Sequence, residues 1–464
     1  MTGEMDVTNP EPESPPTLAE GIHPEPPSSR SVRGFIALIM TQFLGAVNDN
    51  ILKGVLIYMV IEGSWTGRLG AGGQGIVSLC LTLPFLLLSG FAGEFADKHS
   101  KRYVSVLMKL AEIPIALIAM AGFRMGNLWL TMAALLALSG QSAIFGPAKY
   151  GMIPELVSPC QLSRANGIIN MMTNIAVIVG TLAAGTLSDL YSPLASSSSA
   201  PSLWLPGIVI LLVAIAGVVS VSFLTPLPQG NPNIRYSRNP FAVYIETIRK
   251  LATSPILLVM LADGYFYFLA GLALLILPEY TIVLQAYNVS RSEVSILMGI
   301  LGIAIGLGSG IAGLVSGKAI RPILMPIGAA GMTIFFVLLG TVPATVPDLP
   351  PVWRIVCSSH SLLILGAGFS AGFYSIPLQS LIQYLSPPEE RGRILGTSGA
   401  ISFLFLTVSA IIYTLIRPAF NQSDGVQHPE KLFLVCAGLM FFGAIAFLLR
   451  IKSSGLSLAK VASG

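Results

Sequence analysis

Charge is what this sequence has least of. Of 464 residues, 10% are Asp, Glu, Lys or Arg, whereas 53% are hydrophobic. Soluble domains carry roughly 25% charged residues, so this chain lacks the polar surface needed to cover a water-facing globule. Cysteine is also sparse: Cys80, Cys160, Cys357 and Cys436 show no C-x-x-C or metal-ligand spacing. Free thiols are therefore expected, with no disulfide framework. His23, His99, His360 and His428 are scattered in the same way, so no metal site and no cofactor are expected. The net charge of +4 comes with no basic cluster interleaved with aromatics, which excludes a nucleic-acid partner. No catalytic constellation is present, and the chain is not expected to be an enzyme.

What is abundant is long apolar runs. Twelve stretches of about twenty residues can each span the ~30 Å hydrocarbon core of a bilayer. They lie near 35–61, 75–96, 103–123, 128–147, 163–188, 203–224, 255–284, 293–316, 322–343, 353–377, 394–416 and 431–450. Residues 1–32, rich in Pro, Ser and Glu, are expected to be a disordered tail. They do not have the form of a signal peptide, being acidic with no short apolar stretch before a cleavage site. The longest polar interior segment, 225–254, divides the spans six and six. The expected organisation is thus a tail (1–32), a six-helix half (33–224), a linker (225–254), a second half (255–452) and a short tail (453–464).

Lysine and arginine placement sets the orientation. With the N-terminus inside, 18 of the 26 basic residues fall on inner segments and six on outer loops, while Lys53 and Lys109 lie within spans. Both termini are expected in the cytoplasm of a cell with the chain in its inner, or plasma, membrane. The halves echo each other: "LVSPCQLSRANG" follows span 4 and "YLSPPEERGRILG" follows span 10, each a Ser-Pro turn, a basic residue and a glycine. "GEFADKHSKR" after span 2 is matched by "GLVSGKAIR" after span 8, which keeps Gly313, Lys318 and Arg321 but no acid. Parallel repeats of this kind are a transporter plan, with the binding site near the midplane between halves.

Charge near a bilayer centre costs about 2.5–3.5 kcal/mol per residue on insertion scales. Span 1 nevertheless reads "TQFLGAVNDNILKGVLIYMV". Helical spacing places Gln42, Gly45, Asp49 and Lys53 on one stripe, with Asn48 and Asn50 widening it. The stripe is expected to line a watery cavity that meets a polar or zwitterionic head group, with Lys53 pairing Asp49 at i,i+4. Span 5 adds Asn166, Asn170 and Asn174 at successive i+4 positions. Lys109 and Glu112 in span 3 are expected to form an internal pair. In span 7, Asp263, Tyr265 and Tyr267 precede a helix broken by Pro278; they either contact a cation or acyl chain or form an interfacial belt. Gly302, Gly306 and Gly310 in span 8 are read as a close helix-packing stripe.

In "GEFADKHSKR", Gly93, Asp97, Lys98, Lys101 and Arg102 form a tight cluster, expected to latch the two halves on the cytoplasmic side. This pattern resembles the loop between the second and third helices of the major facilitator superfamily, and the twelve spans agree over residues 33–452. The fold class expected is therefore an all-α membrane protein with two pseudo-symmetric six-helix halves. More narrowly, "TQFLGAVNDNILK" and "GPAKYGMIPELVSPCQLSRANG" resemble the bacterial lysophospholipid transporters, especially the transporter domain of the acyltransferase–ligase fusion proteins. The resemblance implies movement of lysophospholipid, chiefly lysophosphatidylethanolamine, from the outer to the inner leaflet, with a separate acyltransferase acting downstream and the carrier working as a monomer among membrane lipids. It implies that Asp49 engages the head group and that Lys149 is a functional cation near the inner mouth; without it, Lys149 reads as a cation favourable to a helix C-terminus. Some stand-alone members have an arginine in span 7, where this chain reads "FLAGLALLILP". The alternative function is proton-coupled export of hydrophobic drugs or metabolites, with Asp49 titrating.

Overall fold

A computed structural model describes residues 29–157, 162–193, 201–227, 241–316, 321–386, 391–420 and 427–453. The expectations for the N-terminal tail, for Cys160 and for Lys318 fall outside these residues. The described residues fold as twelve long helices, here spans 1 to 12: Ser29–Ile61, Gly73–Lys98, Lys101–Met125, Leu128–Leu156, Leu162–Tyr191, Leu205–Ser222, Pro255–Ile276, Arg291–Ser316, Leu324–Thr341, Ser359–Leu385, Arg391–Ile416 and Leu432–Ser453. Among the described residues eleven helices are long and apolar enough to cross a membrane; span 2 is as long, with an apolar stretch over Gly73–Leu88. In hydrocarbon every backbone polar group must be satisfied within the protein, which leaves helices as the means of crossing for a chain of this pattern. This is the all-α, two-half bundle expected.

Local chemistry sets the helix ends. Ser100 and Asn127 cap spans 3 and 4, accepting from the Tyr103 and Leu130 amides. Their short side chains replace carbonyls missing from the first turn. Span 3 stops at Gly126 in the left-handed conformation (φ 59°), a position that favours glycine. Trp65, fully buried, donates to the Gly126 carbonyl at 2.8 Å and stacks on Phe123. That contact folds the 62–72 loop back over the first half. Span 7 gives way at Leu277–Glu279 to 3₁₀ geometry and then to the short helix Tyr280–Val283, as Pro278 dictates.

Two elements differ from expectation. Span 10 begins at Ser359, six residues later than expected, because Pro351–Val356 forms a separate short helix and Ser358 caps the next one. Within the polar linker, Ala242–Lys250 folds as a helix and approaches span 11, where Arg393 lies 3.5 Å from Glu246.

Each half is held by small residues that let backbones meet. In the second half, a Cβ added at Gly308 would lie 2.1 Å from the Phe369 carbonyl, and one at Gly372 would lie 2.3 Å from the Ser309 amide. The face of span 8 that packs on span 10 is therefore the Gly308 face. Gly302 lies at ordinary distance from Ile178, and Cβ atoms at Gly306 and Gly310 would meet nothing within 4 Å among the described residues. The expected packing stripe is corrected: Gly306 and Gly310 face open space between the halves.

Candidate functional site

The halves meet through span 5 on span 8 and span 2 on span 11. Along both seams the contact is tight at the end carrying the 62–72 loop, the Trp65 end, and among the described residues it opens toward the opposite, Arg102 end. At the Trp65 end, added Cβ atoms at Gly185 and Gly75 would lie 2.2 Å from Ser295 Oγ and 2.1 Å from Thr414 Oγ1. Toward the other end, those at Gly93, Gly306, Gly310, Gly313, Gly396 and Gly399 would meet nothing within 4 Å among the described residues. The bundle is a wedge, closed at one end.

Polar side chains close the Trp65 end. Arg417 of the turn after span 11 and Glu279 at the break of span 7, both nearly fully buried, pair through Arg417 Nε at 2.9 and 2.6 Å from the two carboxylate oxygens. Tyr413 and, from the other half, Gln74 donate to the same carboxylate. Across the second seam, Arg291 donates to the carbonyls of Ser188, Ser192 and Glu62 at 3.1, 2.6 and 2.8 Å. Asp189 accepts from the Arg291 and Ser292 amides at 3.1 and 2.9 Å, a carboxylate at a helix N-terminus. Tyr58 and Ser295 complete the seam at 2.8 Å. Sequence alone singles out none of these residues; Arg291 and Arg417 count there only as outer-loop basics.

Below this latch lie two cavities. The first, about 290 Å³, is lined by Asp49, Asn50 and Lys53 of span 1, Ser78 and Thr82 of span 2, and apolar groups including Phe85, Leu274, Met298 and Phe403. Asp49 accepts from Ser142 of span 4 at 2.9 Å, and its other oxygen is buried without a hydrogen-bond partner. Spans 1 and 4 hold further buried polar atoms without a partner, namely both side-chain polar atoms of Asn48, Ser139 Oγ and the Gln141 amide nitrogen. Such groups are rare in packed interiors and ask for a water or ligand.

The expected stripe divides. Asp49, Asn50 and Lys53 reach the cavity, whereas Gln42 bonds Thr173 of span 5 at 3.2 Å and Gly45 lies against Lys109. Asn48 is fully buried in packing. Lys53 and Asp49 both line the cavity, one turn apart, and interact electrostatically, but among the described residues no carboxylate comes within 4.0 Å of Lys53, so the expected pair is not a close one. Lys109 and Glu112 pair at 2.5 Å, each 1% exposed, as the internal pair expected. Lys149 is buried, with Nζ 4.3 Å from the centre of the Tyr150 ring, and interacts electrostatically with Asp49. Asn174 is exposed on span 5. The side chains of Asn166, Asn170 and Asp97 lie outside the described set. Of the loop cluster, Lys101 pairs with Glu155 of its own half; Arg102 Nε has no hydrogen-bond partner.

The second cavity, about 310 Å³, is lined by Asp263 and Tyr267 of span 7, Gln379 of span 10, and Ser398 and Ser402 of span 11. It shares Phe403 and Leu406 with the first, and Phe403 stacks on Phe85 at 5.0 Å. Each volume is near the lower limit of small-molecule sites; the first is lined by both halves and the second by the second half, and they share two wall residues.

Comparison with known proteins agrees with this geometry. The lysophospholipid transporter LplT of Cronobacter sakazakii is 25% identical over 81% of this chain and 85% of its own length. That of Klebsiella pneumoniae is 24% identical over 93% and 98%. Among solved structures, a bacterial homologue of the human lysosomal transporter Spinster, inward-facing and unoccupied, superposes with a TM-score of 0.65 at 14% identity, over 94% of this chain and 98% of that one. The nucleoside transporter NupG gives 0.61 at 15%, over 91% and 99%; at such identities the likeness concerns the fold. The family profile of the Major Facilitator Superfamily matches residues 38–410. The chain belongs to the Major Facilitator Superfamily.

Proposed function

We propose that this protein moves lysophospholipid, lysophosphatidylethanolamine foremost, from the outer to the inner leaflet by alternating access. A separate acyltransferase then consumes the delivered lipid. The basic-residue bias assigns the Arg102 end to the cytoplasm, so the wedge is the inward-facing state with its outer latch closed. The observation that carries the reading is the Asp49 cavity: a half-satisfied carboxylate and a lysine one turn apart, facing a wall of Leu274, Met298 and Phe403. A zwitterionic head with one acyl chain matches that division of polar and apolar surface. The relatives, named as lysophospholipid transporters over most of their length, support the same substrate class.

Leaflet-specific uptake of labelled lysophosphatidylethanolamine into proteoliposomes tests this, wild type against Asp49→Ala. Uptake is expected to be lost while the variant inserts normally; undiminished uptake by the variant rejects the assignment. A second reading, proton-coupled export, draws support from the buried carboxylates of Asp49 and Asp263, each with one oxygen that has no hydrogen-bond partner. Collapse of the proton gradient separates the two: the lipid carrier keeps its uptake, the exporter stops.

A further inference from the structure

The two cavities differ in charge. The first carries Lys53 with no carboxylate within 4.0 Å among the described residues, and Lys149 lies within electrostatic range of its acid. The second contains one charged side chain, Asp263, and no lysine or arginine in its wall. Asp263 is 4% exposed. One of its oxygens accepts a long bond from Ser402 at 3.3 Å, and the other has no hydrogen-bond partner. No cation of the described residues lies within ion-pair distance of it. A buried carboxylate without a counter-charge is expensive, and among the described residues the fold leaves that counter-charge to be supplied from outside.

We propose that Asp263 is the ammonium subsite of the carrier, taking the amine of a zwitterionic phospholipid head group while Lys53 in the adjoining cavity takes its phosphate. This rests on the lysophospholipid reading above and goes beyond it by fixing which half receives which charge. Tyr267, Gln379, Ser398 and Ser402 line the same cavity with neutral oxygens, acceptors for which an ammonium can give up water. The two cavities share Phe403 and Leu406 in their walls, which makes them neighbours, and one head group is proposed to bridge that shared wall. The polarity is also the one the seams allow: span 1 carries the lysine and span 7 the acid, on helices from opposite halves that move relative to each other in alternating access. An amine on one half and a phosphate on the other ties the halves through the substrate itself.

The prediction is selectivity by head group. Proteoliposome uptake is measured for lysophosphatidylethanolamine and for lysophosphatidylglycerol, which has the phosphate and no amine. In wild type both lipids are carried, the amine-bearing one with the higher kcat/KM. Asp263→Asn is expected to lower kcat/KM for lysophosphatidylethanolamine about tenfold or more, the scale of one charge-assisted hydrogen bond, and to change lysophosphatidylglycerol less than about twofold. Lys53→Gln is expected to lower both lipids together. Asp263→Ser, which removes the charge with less bulk, is read in the same way if the asparagine variant is not recovered folded. If wild type carries both lipids and the neutral variants slow both equally, or neither, the assignment is overturned. If wild type carries neither, the lysophospholipid reading is overturned and the subsite falls with it.

Discussion

The two ends of the bundle are built from the same helices yet hold the halves in opposite ways. At the Trp65 end, Glu279, Tyr413 and Arg417 of one half meet Gln74 of the other, and Arg291 spans the seam to three carbonyls. At the Arg102 end, glycines along spans 2, 8 and 11 look onto open space, and Lys101 pairs within its own half. The closed end is held by directional polar bonds; the parted end offers small, smooth faces. The difference shows how a carrier can be both firm and reversible. Buried ion pairs contribute little net stability because desolvation offsets attraction, but they fix one geometry. Glycine faces allow the opposite closure without demanding it.

That contrast can be broken at several points. Glu279→Ala strands Arg417 in the packed end and is expected to cost about 3–5 kcal/mol, read as a lowered unfolding temperature in detergent. Replacing both, Glu279→Leu with Arg417→Met, should recover most of that loss while leaving the Trp65 end more accessible to thiol reagents. Gly308→Ala drives a Cβ into the Phe369 backbone and should cost about 1–3 kcal/mol, seen in the same melting experiment. Tyr58→Phe removes one cross-seam bond to Ser295 and should cost about 1 kcal/mol. Gly310→Ala, two residues from Gly308 and facing open space, should change stability by no more than about 0.5 kcal/mol. A Gly310→Ala as damaging as Gly308→Ala contradicts the wedge.

Much of this architecture was legible in the sequence, because a hydrocarbon solvent leaves long apolar helices as the favoured solution. The spans, the six-plus-six division and the Lys109–Glu112 pair follow from run length and i,i+3 spacing. The acid of span 1 stands out because charge in such a run is costly, and it does border a cavity. What spacing could not give was which neighbour a polar face would meet. Lys53 and Asp49 share a stripe, but both turn toward the cavity and leave no close ion pair. Gly306 and Gly310 have a packing spacing and no partner in this state, since the face that packs is Gly308's, on the other side of the helix. The latch was hidden for a related reason. Arg291, Arg417 and Glu279 sit at helix ends, where charge is ordinary; only the folded chain shows them buried and joined across the seam. Ser142 and Ser402 are ordinary helix hydroxyls in sequence, and their importance comes from the carboxylates they face.

For the wedge to work as a carrier, the Trp65 end must part during each transport cycle. A cysteine pair at Gly185 and Ser295, in a protein whose native cysteines have been replaced, tests this directly, since an added Cβ at the first lies 2.2 Å from Oγ of the second. Lysophospholipid uptake is predicted to stop when the pair is oxidised and to return on reduction. Undiminished uptake with the disulfide fully formed would contradict alternating access through this end.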